Sequence, residues 1–81
     1  MHVQTHAVRS ERKHFDHACR AGHYPLVVVG NQKSGYRLGA NVNDNRIVLF
    51  GKLHKRQRSA LGRAREVYGQ KPARITLDKA A

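Results

Sequence analysis

An α+β fold is what this sequence predicts, on three observations. A β-branched, alternating stretch is punctuated twice by polar turn residues over 26–50. A 3.6-residue apolar period follows it over 52–68, and a shorter one precedes it over 10–21. Layer logic puts both helices on one face of a three-stranded antiparallel meander, all within one small domain spanning 1–81.

Each element has its own signals. Residues 1–8 mix His, Val, Gln and Thr without a period and read as a flexible arm or an edge strand. Ser10 is an acceptable N-cap and Glu11 suits the positive end of a helix. Val8, Phe15, Ala18 and Cys19 share a face, and Gly22 stops the helix near Ala21. Pro25 then opens Leu26–Val29, which ends at Gly30 and Asn31. After the turn Asn31–Gly35, Tyr36–Ala40 alternates apolar and polar, as a half-buried strand does. Asn41–Asn45 supplies a second turn and Ile47–Phe50 a third strand.

The clearest helix is predicted over Lys52–Tyr68. There Leu53, Gln57, Ala60, Leu61, Ala64, Val67 and Tyr68 fall within an arc of about 120°. Gly69 and Pro72 close it, and Gly62 on its solvent face costs about 1 kcal/mol against Ala. Ala73–Asp78 alternates weakly, enough for a short C-terminal edge strand. The expected core is Leu26, Val28, Leu38, Ile47 and Leu49 or their alternates, packed on Leu53, Leu61, Ala64 and Tyr68.

Composition narrows the function. Sixteen Lys/Arg against five Asp/Glu leave a formal charge of +11, while 40% apolar residues still permit a fold. The longest apolar runs have four residues, against the roughly 20 of a membrane span, and the first twenty residues have no apolar signal core. No membrane association and a cytoplasmic location are expected. One cysteine rules out an internal disulfide and a thiol-only zinc site.

The basic residues concentrate on the long predicted helix. Lys52, Arg56 and Arg63 flank its apolar stripe on one side, Arg58 and Arg65 with His54 on the other, and Lys55 lies on the outer face. A solvated helix face normally alternates sign to gain i,i+4 pairs, whereas this one stacks like charges. Ten arginines to six lysines favour bidentate phosphate recognition over mere charge. Arg37, Arg46, Arg74 and Lys33 extend the basic surface over the sheet, where Gly30, Gly35 and Gly39 allow close approach. Phe15, Phe50 and Tyr68 are expected in the core, leaving only Tyr24 and Tyr36 as stacking groups. A duplex or structured nucleic acid held through phosphates therefore fits better than a single strand. The nucleic-acid-binding set is Lys52, Lys55, Arg56, Arg58, Arg63, Arg65, Arg37 and Lys33.

The leading expectation is thus a small nucleic-acid-binding regulator or accessory factor of phage, plasmid or bacterial type. A second reading is a toxin-like, metal-independent ribonuclease using His54 or His23 as base. Cations around His54 lower its pKa and keep it neutral. Catalysis is the less favoured reading, because the five acids are scattered singly and no nucleophile or phosphate-loop motif is present. A third is a protein-directed inhibitor or assembly subunit that docks its basic face on an acidic partner. His14, His17 and His23 are the weak metal candidates. Cys19 points away from them toward the core, so no metal or other cofactor is expected. The order meander-then-helix resembles arm-binding and plant-type domains that lay a sheet in the DNA major groove. Helix, three strands, helix is similar to the double-stranded-RNA-binding domain and to small toxin ribonucleases. Both resemblances are of topology alone, and no family is identified by motif.

Overall fold

The computed structural model describes residues 2–4, 7–43 and 46–76. Its elements run β1 (His2–Gln4), α1 (Arg9–Arg20), β2 (Leu26–Asn31), β3 (Gly35–Asn43), β4 (Arg46–Leu49), α2 (Gln57–Arg63) and β5 (Ala73–Thr76). A π-helical turn, Ala64–Tyr68, continues α2. The class is α+β, but the architecture departs from a long basic helix on a three-stranded meander. The sheet has five strands in the order β1-β4-β3-β2-β5. β2, β3 and β4 pair antiparallel at its centre, while β1 lies parallel to β4 and β5 parallel to β2. β3 alone runs against the other four. The resemblances drawn from element order assumed three strands and do not extend to this mixed sheet.

Both helices occupy crossovers, α1 between β1 and β2 and α2 between β4 and β5. Each crossover moves three positions across the sheet in the same direction. With the same hand in both, the helices land side by side on one face.

The predicted helix over Lys52–Tyr68 is overturned in its first third. Residues 51–56 are not helical: bends at Gly51, Lys55 and Arg56 flank a single bridge at His54, and the backbone of Arg56 has φ −117° and ψ 140°. Two forces act against helix there. Lys52 and Arg56 stand i,i+4 with like charge. Tyr36 and His54 capture each other's backbone, N to O in both directions at 2.7 Å. Leu53, expected on the apolar stripe, is consequently 55% exposed. Val8, expected on the buried face of α1, is its N-cap residue and is 59% exposed.

Strand bounds also move. β2 runs on to Asn31, whose side-chain oxygen accepts from the backbone of Lys33 and Ser34 and tightens the hairpin turn. β3 continues through Asn41–Asn43, with an irregular register there, where a turn was expected. The rest of that turn, Asp44 and Asn45, lies outside the described residues, as do Leu77 and Asp78 of the predicted edge strand.

Alternation divides the core between the two faces of the sheet. Leu26, Val28, Leu38, Ala40 and Val48 face the helices and pack on Phe15, Cys19, Ala60 and Ala64. Val27, Val29, Ile47 and Leu49 form a second buried cluster on the other face, joined by Val3 and Ile75. The register of β4 thus sends Val48, the alternate of Ile47 and Leu49, to the helices. Gly39 separates the two halves of the second cluster. A Cβ there would stand 2.8 Å from Leu49 Cδ2, so its small size serves packing and not ligand approach. Among the described residues no helix is long and apolar enough to cross a membrane.

Leu38 is 1% exposed at the centre of the helix-facing core. Leu38→Ala is expected to cost about 2–5 kcal/mol, and Leu53→Ala less than about 0.5 kcal/mol. Urea denaturation of the two variants beside wild type measures both.

Candidate phosphate-binding cleft

The crossover geometry sets both helices on one face of the sheet, with α1 packed against the π-helical turn that continues α2, and the non-helical segment 51–56 leads into α2. A cleft of about 340 Å³ opens where the three meet. From α1 it receives Arg9, Arg12, Lys13 and Arg20. These positions, with Asp16, recur at i, i+3, i+4, i+7 and i+11, which is one face of a helix. Segment 51–56 adds Lys52 and His54, α2 adds Arg63 and the π-helical turn adds Tyr68. Among the described residues, six cationic side chains therefore share this cleft with one carboxylate.

That carboxylate is already engaged. Asp16 Oδ1 accepts from the Tyr68 hydroxyl and lies 3.4 Å from Arg20 Nε. The Arg20 guanidinium also sits 5.5 Å from the centre of the Tyr68 ring. Burial and the Asp16 carboxylate push the Tyr68 hydroxyl pKa well up, so it stays a donor at neutral pH. The clamp ties α1 to the π-helical turn. Gln70 ties the same two regions to the sheet: its side chain donates to the Cys19 carbonyl and accepts from the Leu26 backbone N–H. Glu11, the other acid of α1, lies 3.5 Å from Arg46, which also donates to Gln4. Arg9, Arg12, Lys13, Lys52 and Arg63 are left with no ion pair among the described residues.

His54 is half-buried. Its burial, then the charges of Lys52 and Arg63, hold its pKa below the ordinary 6.5. A neutral imidazole in a cationic cleft serves as a hydrogen-bond partner for phosphate or as a proton acceptor. Gly35 makes room for this segment. It has φ +87°, and a Cβ on it would stand 2.9 Å from the His54 carbonyl oxygen.

The cleft gathers part of the predicted set. Lys52, Arg63 and His54 line it. Arg37 lines a neighbouring groove instead, while Lys55, Arg56, Arg58, Arg65 and Lys33 are exposed outside both. His23 is exposed between α1 and β2 and lines neither. Arg46 is paired as described, and Arg74 is exposed on β5. His14 and His17 are exposed on α1, and among the described residues no three His, Cys, Asp or Glu side chains come together as metal ligands. Cys19 is fully buried, its thiol pushed up to about 11 chiefly by burial, and acts as a small core residue. Tyr24 packs on Phe15 and Tyr36 on the helix-facing core, so neither is a free stacking platform. The α1 cations are what sequence reasoning missed, although their spacing on one helix face was a usable signal.

Comparison with protein-family models, with curated proteins and with solved structures gave no match.

The depressed pKa of His54 has a consequence for stability. The unfolded chain takes up a proton as pH falls through the ordinary imidazole range, before folded His54 does, so acidification favours the unfolded state. Melting temperature measured from about pH 7.5 down to about pH 5 is expected to fall less in His54→Gln than in wild type.

Proposed function

We propose that the protein binds duplex or structured nucleic acid through its phosphates, and that the α1–α2 cleft is where the backbone sits. The supporting observation is the convergence of six cations from three separate segments on one cleft whose only carboxylate among the described residues is bound internally. Like charges held this close repel in the free protein, and a polyanion relieves that repulsion. Four of the six are arginines, whose planar guanidinium matches two phosphate oxygens at once. Neutral His54 adds a hydrogen bond without competing for the anion.

The same histidine supports a second reading. A base beside Lys52 and Arg63 has the local ingredients for metal-independent RNA cleavage, with the cations stabilising the charge that develops on phosphorus. RNA cut by wild type and left intact by His54→Ala would favour that reading over binding alone.

Five cleft cations lack an ion pair among the described residues. Five phosphate contacts imply a slope near about −4.5 for log affinity against log salt on duplex DNA. Arg12→Gln and Arg63→Gln are each expected to flatten the slope by about 0.9. Lys33→Gln and Arg65→Gln, outside the cleft, are expected to leave it unchanged. Fluorescence anisotropy across a salt series measures all four. No binding to DNA or RNA at low salt would return the basic surface to the acidic-protein reading.

A further inference from the structure

The cleft holds one group that phosphate recognition does not call for. Asp16 stands on the cationic face of α1, one turn after Arg12 and Lys13 and one turn before Arg20. A carboxylate among phosphate-binding cations repels the anion they attract, so a cleft for phosphate alone would do better without it. Its clamp with Tyr68 and Arg20 uses only half of the group, because both contacts converge on Oδ1. Oδ2 accepts no hydrogen bond among the described residues. The side chain is 29% exposed and lines the cleft, so a ligand there can reach it.

An ionised carboxylate only accepts, so its counterpart on a ligand must be a donor. The sugar–phosphate backbone of DNA carries none. That of RNA carries one per nucleotide, the ribose 2′-hydroxyl, and an A-form duplex displays these hydroxyls along its wide, shallow minor groove. Each ribose lies between two phosphates, as Asp16 lies between the cations on either side of it. Donors on base edges sit deeper in the grooves than the sugars and phosphates that meet a cleft of cations.

We infer that the cleft selects RNA over DNA, with Asp16 Oδ2 accepting from a ribose 2′-hydroxyl that lies between phosphates held by the neighbouring cations. This rests on the reading of the cleft as a phosphate site and narrows its ligand class. Asp16 is the specificity-determining residue, and Tyr68 and Arg20 hold it in place through Oδ1. DNA is disfavoured twice, since its phosphates meet a like charge and its sugars offer no donor in return.

Three hairpins of one sequence test this by fluorescence anisotropy: RNA, DNA, and RNA with 2′-O-methyl groups throughout the stem. The methylated stem keeps the A-form shape and loses the donors, which separates Asp16 recognition from recognition of shape. Wild type is expected to bind RNA about tenfold tighter than either of the other two. Asp16→Asn keeps an oxygen for the Tyr68 hydroxyl and puts a donating amide where Oδ2 stood. It is expected to bring the three hairpins to equal affinity, chiefly by tightening DNA, because a like charge is gone. The wild-type comparison stands whatever the stability of the variant. Methylated RNA bound as tightly as RNA, or an RNA preference that survives Asp16→Asn, overturns the role of Asp16 while binding itself upholds the cleft. Failure to bind any of the three overturns both.

Discussion

Two backbone hydrogen bonds between Tyr36 and His54 hold the cleft end of this protein together. They bridge His54 to the start of β3 and keep residues 51–56 out of helix, in a stretch whose side-chain period favours helix. Lys52 and His54 are delivered to the cleft by that pairing, and Leu53 between them is turned to the outer groove. The surroundings are shaped to allow it. Gly35 and Gly51 stand where a Cβ would meet Leu53, His54 or Leu38 at 2.8–3.2 Å. A continuous helix from Lys52 would instead have spread its cations around a cylinder and closed no cleft.

The opposite wall depends on a different interaction. α1 carries four of the cleft cations, and repulsion among them works against any fixed position beside α2. Asp16 offsets that repulsion locally by engaging Arg20 and the Tyr68 hydroxyl together. The π-helical turn at Ala64–Tyr68 belongs to the same arrangement, for it carries Tyr68 at its last residue and ends at left-handed Gly69. Directly beyond, Gln70 bonds both α1 and β2. Stability and charge concentration thus meet at one joint, which is how a chain of 81 residues with a formal charge of +11 holds six cations in one place.

What the sequence made legible was local. The β-branched run after Pro25, the alternation Tyr36–Ala40 and the apolar positions Phe15, Ala18 and Cys19 each report their burial through spacing of two or three to four residues. The charge excess pointed to an anionic partner, and Lys52, His54 and Arg63 were within reach of that argument. What stayed hidden was non-local. Nothing in His2–Gln4 or Ala73–Thr76 announces parallel pairing with β4 or β2, because the partners lie more than forty residues away. The same holds for Tyr36 with His54, where a backbone pairing overrode a side-chain period. Arg9, Arg12, Lys13 and Arg20 were readable as one helix face, yet only packing against segment 51–56, Arg63 and Tyr68 makes that face the wall of a cleft.

In the proposed function, phosphate sits between α1 and the 51–56 segment. Amide chemical shifts of isotope-labelled protein, followed while a blunt DNA hairpin is titrated in, test it directly. Changes gathered on the first half of α1, on Lys52–His54 and on Arg63 are the predicted result. Changes centred on Lys33, Arg58, Arg65 or Arg74, with the cleft amides unmoved, would contradict it.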